Sequence, residues 1–329
     1  MKHFRNSITL ILLPLLFAAA ALLVGRYSVS LQDALKALFR PAQASAESYR
    51  VIRYLRLPRA IAAAMCGAAL AVSGAAFQGV FRNPLVNSGL LGVSNGAGFG
   101  ACLAIVFLGG GGYTYVLAFL FALLAVALSY FAGSISRATT SVTLILGGVI
   151  VSSFFSALIS ILKYIADPYS QLPSITFWFM GSFADVNYIH FYAFLPMALG
   201  MLLIFISRWR INVLSMGDRE AAALGVDLRK YKFLIIGGAT LATASAVCIS
   251  GTIGWVGLVV PHIGRMLVGS NNEKLIPVSM SLGACFLTLM DILSRCISTA
   301  EIPIGILCAL IGTPFFVYLL KKTRGGAWT

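Results

Sequence analysis

The sequence predicts an all-α, polytopic membrane protein, and three observations carry that prediction. Hydrophobic residues make up 59% of the 329, charged residues only 10%, and the mean hydropathy is +0.93; a soluble domain devotes about a quarter of its residues to charge. Apolar runs of about the 20 residues that a bilayer crossing requires recur along almost the whole chain. In hydrocarbon a helix satisfies its own backbone groups, so each run is expected to be helical.

Hydropathy and breakers place spans at 7–25, 58–80, 91–108, 114–134, 141–166, 188–208, 230–250, 255–268, 274–297 and 303–320. The first, Ile8 to Val24 behind Lys2 and Arg5, has the look of a signal peptide with Ala18 to Ala21 as cleavage region, but the hydrophobicity that follows argues for an uncleaved helix. The second span carries Gly67, Ala71, Gly74 and Ala75, small residues that let backbones approach closely. After it, the stretch Gln78 to Gly96, with Asn83 and Pro84, is polar and punctuated. It reads either as the lining or gate of a pathway or as an ordinary capped turn. Gly96-Ala-Gly-Phe-Gly100 is expected to serve close helix packing, and Gly109 to Gly112 an exterior turn.

Past the fifth span, Asp167-Pro-Tyr-Ser-Gln-Leu-Pro173 breaks the pattern, and Ser174-Ile-Thr-Phe-Trp-Phe-Met-Gly-Ser182 is apolar but too short to cross. A short helix at the outer face fits, with Trp178 either anchoring it at the interface or lining the mouth of a pathway. The 255–268 segment is short for a crossing and holds Pro261, His262 and Arg265. In the ninth span Asp291 and Arg295 are spaced for an i,i+4 ion pair. Arg295 is also expected to project outward and join Arg56 and Arg59 in an exterior basic patch.

Ten spans put both termini on one side, and placing that side in the cytoplasm leaves only Arg26, Lys36, Arg40, Arg50, Arg53, Arg56, Arg59, Lys163 and Arg295 outside, out of 24 basic residues. Topology thus accounts for most of the net charge of +14 and gives no reason to expect nucleic-acid binding. The exterior cluster runs against the inside signal and calls for an acidic partner.

The chain contains no G-x-x-x-x-G-K-[ST] loop, so ATP is expected to be hydrolysed on another subunit. Three histidines and ten scattered carboxylates form no catalytic constellation. The six cysteines lie in apolar runs without a C-x-x-C pair, which points to packing rather than metal binding or disulfides. We therefore expect neither an enzyme nor a resident cofactor or metal. Gly67-Ala-Ala-Leu-Ala-Val-Ser-Gly-Ala75 and Gly238-Ala-Thr-Leu-Ala-Thr-Ala-Ser-Ala246 echo each other at matched positions and run in opposite directions in this topology, as in transporters built from inverted repeats.

The remaining interruption is the charged, helix-prone island Gly217 to Lys232 on the cytoplasmic side. Glu220 falls early in a short helix, where the dipole favours it, Gly225 stops that helix, and Ala221, Ala222, Ala223 and Leu224 offer a compact face. Such a face either enters a partner's groove or is simply solvated.

Over nearly its full length the chain resembles the permease subunits of type II ATP-binding-cassette (ABC) importers, the FecCD family, which carry iron-siderophores, haem and vitamin B12. The resemblance rests on Arg56-Leu-Pro-Arg59, Ser73-Gly-Ala-Ala-Phe-Gln78 through Asn83-Pro-Leu85, Gly89-Leu-Leu-Gly-Val-Ser-Asn-Gly96, Gly257-Leu-Val-Val-Pro-His262 and Glu301-Ile-Pro-Ile-Gly305. It implies one transmembrane permease domain over 1–329 with a coupling segment at about 211–230, and a homodimer with two pseudo-symmetric inverted halves per subunit. It also implies two cytoplasmic ATPase subunits that bind ATP and magnesium, and a periplasmic or lipid-anchored binding protein outside the cell membrane.

By the same resemblance Asp218, Arg219, Glu220, Ala221, Ala222, Leu224 and Gly225 would couple to the ATPase, and Arg56, Arg59 and Arg295 would dock the binding protein. Gln78, Asn83, Pro84, Thr139, Thr140, Ser141, Ser174 and Trp178 would line or gate the pathway. A ferric siderophore or haem is the favoured cargo, then a corrinoid, then an oxyanion such as molybdate. An ion-coupled secondary transporter is the rival reading, and it would need intramembrane carboxylates, of which only Asp291 qualifies.

Overall fold

A computed structural model describes residues 7–134 and 141–322, and Thr139 and Thr140 lie outside that range. Among the described residues all regular structure is helical. Each of the ten expected spans is a helix: α1 (Ser7–Leu23), α4 (Leu57–Phe81), α5 (Val93–Leu108), α6 (Gly112–Ser134), α7 (Ser141–Ile165), α9 (Phe194–Ile206), α12 (Leu228–Ser250), α13 (Val256–Val268), α14 (Asn272–Ile297) and α15 (Ile304–Lys322). Six are long and apolar enough to cross a membrane alone, among them the continuous helix Ala46–Phe81; Ile8–Leu23, Val93–Leu108, Val256–Val268 and Ile304–Tyr318 are shorter apolar helices.

The elements between the spans are α2 (Leu31–Phe39) and α3 (Ala46–Arg50) at the end of the bundle expected to face outside, the short α8 (Gln171–Met180), and α10 (Arg208–Met216) with α11 (Asp218–Ala223) at the end expected to face the cytoplasm. A π-helical turn, Val51–Arg56, fuses α3 to α4. Local chemistry sets these ends. Ser30 and Ser45 accept the amides of Asp33 and Ser48 at the N-termini of α2 and α3, and Asp227 does the same for Lys230 at α12.

Burial sorts the helices into a centre and a ring. The apolar windows of α4, α12 and α14 are 83%, 78% and 72% buried within this chain, those of α6 and α7 only 33% each. The central helices are held at backbone distance by small residues. A Cβ at Gly67 would collide with the carbonyl of Gly283 on α14, and one at Gly74 with that of Gly257 on α13. The Gly96 to Gly100 run likewise seats α5 on the carbonyls of Phe121 and Leu117 in α6, as its composition predicts.

The two echoing segments pack against each other. Cys66 Sγ lies 3.9 Å from the carbonyl oxygen of Ala246, and Ser73 Oγ donates to that of Ala239 at 3.2 Å. The partners step in opposite chain directions, so the matched halves meet antiparallel at the centre of the bundle. Five cysteines are buried as expected, but Cys296 is exposed because it falls in the last turn of α14, beyond the packed interface.

Candidate functional site

Three groups of residues could carry function, and they lie at the outer end, along the middle and at the inner end of the bundle. At the outer end, Asp291 on α14 is fully buried between two arginines. Arg59 Nε donates to Asp291 Oδ1 at 2.6 Å, Arg295 Nε lies 3.2 Å from Asp291 Oδ2, and Arg59 Nη1 donates to Glu301 Oε2 at 2.8 Å. Arg56 Nη1 donates to the carbonyls of Leu22 and Leu23 at 2.7 and 3.0 Å, its Nη2 to that of Tyr27, and Arg295 Nη2 to that of Ala21 at 3.2 Å. Those of Ala21, Leu22 and Leu23 end α1, where acceptors lack helical donors and the dipole is negative, so two arginines cap one helix.

The predicted i,i+4 pair of Asp291 and Arg295 is therefore present. The outward projection of Arg295, and with it an exposed patch with Arg56 and Arg59, is not: the three are 7%, 5% and 7% exposed. The physical reason is that α1 and the turn at Glu301 bring acceptors to each guanidinium, which a charge count along the chain does not register. Asp291 held by two arginines is also no free carboxylate for an ion-coupled cycle.

Beside this cluster, a cavity of about 650 Å³ is lined by Ser174 and Trp178 of α8 together with Ser182, Asp185, Ser250 and Gly251. The C-terminal end of α8 is pinned on both sides. Thr252 Oγ1 donates to the Phe179 carbonyl at 2.5 Å, Ser182 N to Ser250 O at 2.8 Å, and Ile304 N to Gly181 O at 2.9 Å. Gly305 lets α15 lie against the Met180 carbonyl, and Trp255 takes the strained left-handed φ of 69° in the loop before α13. At the other end of α8, Asp167 Oδ1 accepts the Ser170 amide and hydroxyl, both at 2.7 Å. These hydrogen bonds hold its carboxyl below the usual carboxylate range.

Along the middle, Asn95 of α5 reaches α7, donating to Ser152 O at 3.1 Å and Ser156 Oγ at 3.2 Å. With Ser153, Gly89 and Leu90 they line a cavity of about 460 Å³ that has no ionisable lining residue. The sequence reading missed this groove, although serines at 152, 156 and 160 recur at helical spacing in an apolar run.

Toward the inner end, Gln78 is buried and donates to Gly257 O at 3.1 Å, tying α4 to α13. Asn83 accepts the Leu85 amide at 2.9 Å in an Asx turn and, like Pro84, is half-buried; Arg82 ends α4 with a left-handed φ of 52°. Ser141 opens α7.

At the inner end, Asp218 begins α11 and pairs with Lys232 of α12 at 2.7 Å, and Ala221 is fully buried beneath. That leaves Arg219, Glu220, Ala222, Leu224 and Gly225 on the outside, with Leu224 62% exposed. Gly225 takes a φ of 76° that a side chain would strain. The arm behind is clasped to α14. Asn212 Nδ2 donates to Asn271 Oδ1 at 2.8 Å, and Asn212 Oδ1 accepts the Asn272 backbone amide at 2.7 Å.

With this geometry in hand, comparison with known proteins is informative. The FecCD transport family model matches residues 11–322. The molybdate import system permease protein of Haemophilus influenzae is 43% identical over 96% of both chains. The hemin transport system permease protein of Yersinia pestis is 35% identical over 82% of this chain and 83% of its own length. A solved structure of a metal-chelate type ABC transporter in an inward-facing conformation aligns at a TM-score of 0.86 with 42% identity, covering 96% of this chain and 98% of the other.

Proposed function

This chain belongs to the FecCD transport family as a multi-pass ABC importer permease, and we propose that it moves a metal-bearing anion inward, with molybdate the first cargo to test. The single observation that carries the cargo reading is the 43% identity to the molybdate permease over 96% of both chains, against 35% for the hemin permease. This reverses the order of cargo that the sequence motifs alone favour. A ferric chelate is the second reading, supported by the metal-chelate type transporter that shares this fold at 42% identity.

In this reading a second copy of the chain completes the pathway, and the uncharged groove of Asn95, Ser152, Ser153 and Ser156 lines it. Hydroxyl and amide groups replace part of an anion's hydration without a fixed charge that would trap it. Ser174 and Trp178 of α8 form the outer gate, and Gln78, Asn83, Pro84 and Ser141 belong to the inner one. Arg219, Glu220, Ala222, Leu224 and Gly225 seat in a cleft of a cytoplasmic ATPase, which holds ATP and magnesium; no cofactor resides on this chain. Asp218 and Ala221 fix that segment to the bundle rather than meet the partner.

Docking of an acidic binding protein falls to the exposed Arg26, Arg40, Arg50 and Arg53 of the segment between α1 and α4. The test is reconstitution with the cognate ATPase and binding protein in liposomes, followed by ATP-dependent uptake of molybdate, haem and a ferric siderophore. Saturable molybdate uptake supports the first reading. Uptake of the chelates alone moves the assignment to the second, and uptake that persists without ATP overturns both.

A further inference from the structure

The inner arm, α10 with α11, is fastened to the central helices in three places, and the fastenings differ in stiffness. At α4, Ile211 is fully buried where Gly79 leaves room, since a Cβ there would collide with the Ile211 side chain. Apolar packing carries no direction, so these surfaces can slide. At α12, Lys232 meets Asp218 at 2.7 Å through a flexible four-carbon stem that follows its partner.

At α14 the fastening is directional. Asn212 uses both ends of its amide: Nδ2 donates to Asn271 Oδ1 at 2.8 Å, and Oδ1 accepts the Asn272 backbone amide at 2.7 Å and Asn272 Nδ2 at 3.0 Å. Asn271 Oδ1 also accepts the Glu273 amide at 2.9 Å as the N-cap of α14. Asn212 completes that cap by taking a first-turn amide that has no acceptor within the helix. Such bonds weaken steeply with misalignment, so the arm and α14 move together or the cap opens.

From the cap, α14 runs for 26 residues, about 39 Å, and reaches the outer cluster, where Asp291 holds Arg59 of α4 and Arg295 reaches the end of α1. Pro277 removes one bond from the ladder near its start. Leu275 and Ile276 beside it are fully buried, with Gly264 of α13 making room for Leu275, so the joint is packed rather than loose.

Resting on the importer reading above, we propose that Asn212 is a positioning residue of the transport cycle, which ties the segment facing the ATPase to α14. A displacement of α11 is then delivered along α14 to the outer end of the bundle, and the clasp stays closed throughout the cycle.

The test reconstitutes the full-length permease with its ATPase and binding protein in liposomes and measures ATP hydrolysis beside uptake of whichever of molybdate, haem and a ferric siderophore the wild type carries. Asn212→Leu, which removes both amide ends, should leave ATPase association and basal hydrolysis close to wild type while uptake per ATP falls about tenfold. In a Cys296→Ser background, which removes an exposed thiol, Asn212→Cys with Asn271→Cys should show the same loss. A short bis-methanethiosulfonate bridge between the two cysteines should restore most of the uptake.

Unchanged uptake per ATP in Asn212→Leu overturns the proposal, as does a parallel loss of uptake and ATPase association, which marks a purely structural role. Inhibition by the bridge overturns it too, because the clasp would then have to open. If Asn212→Leu folds poorly, the bridged and unbridged cysteine protein from one preparation decides the question. A wild type that takes up none of the three cargoes in an ATP-dependent way overturns the importer reading itself, and this inference with it.

Discussion

The outer arginine cluster and the inner segment proposed to couple to the ATPase are both charged interruptions of an apolar chain, yet they use charge in opposite ways. Outside, Arg56, Arg59, Arg295 and Asp291 are buried and bonded to one another or to the end of α1. Inside, one pair, Asp218 with Lys232, anchors the segment, and Arg219, Glu220 and Leu224 face outward with nothing from this chain over them. A buried charge is committed to its partners, because removing one strands the other in low dielectric. An exposed charge is screened and inexpensive to redirect. The outer cluster thus holds α1, α4 and α14 together, whereas the inner segment is free to meet another subunit.

Substitutions can break or sharpen that contrast. The largest effect is expected from Asp291→Asn, which leaves Arg59 and Arg295 without their shared counter-charge. Loss of about 3–5 kcal/mol should appear as poor yield of folded protein and a sharply lowered thermal midpoint in detergent; a midpoint within a degree or two of wild type would show that the cluster is not structural.

At the inner segment the opposite pattern is expected. Leu224→Glu and Ala222→Glu, both at exposed positions, should leave the midpoint of the isolated permease nearly unchanged while weakening ATPase association by tenfold or more, about 1.4 kcal/mol, measured by co-purification and titration. A drop in permease stability with intact association would reverse the roles assigned to the two regions.

A smaller effect is expected from Arg50→Glu with Arg53→Glu, on the exposed rim of the outer region. Affinity for the binding protein should fall severalfold at low salt, and the difference should shrink as ionic strength rises past the point where the Debye length is about 10 Å. Salt-independent loss would mean that the pair acts through structure, like its buried neighbours.

The smallest effect concerns Asp167, whose carboxyl is held below its usual range by Ser170. Its folded-state value is depressed, so the contribution is present above the unfolded value of about 3.9 and is lost as pH falls through the folded one. Amide exchange in the first turn of α8 should accelerate only in that acid window, and Asp167→Asn should abolish the pH dependence.

Much of this was legible in the chain. Hydropathy located every span, because a bilayer selects for length and apolarity residue by residue. The short α8, the glycine contacts of α5 and the Asp291–Arg295 pair followed from local spacing. The pairing of Arg59 with Asp291 joins residues 232 apart, and no periodicity signals it. Asn95 fell in the stretch Gln78 to Gly96, read as a pathway lining or gate or as a capped turn, and the serines opposite it were spaced to face one way, but nothing along the chain paired the two. The clasp of Asn212 on Asn271 and Asn272 was invisible for the same reason as the arginine network: short polar side chains find partners only once helices are assembled.

The sequence by itself determined the solvent, the order of the spans and the family, since all three depend on composition and local pattern. Tertiary structure alone decided which charges are available. Whether an arginine docks a partner or caps a helix depends on what the fold brings within about 3 Å of its nitrogens. Residues with the same charge on the same side of the membrane, such as Arg53 and Arg56, came out exposed and buried.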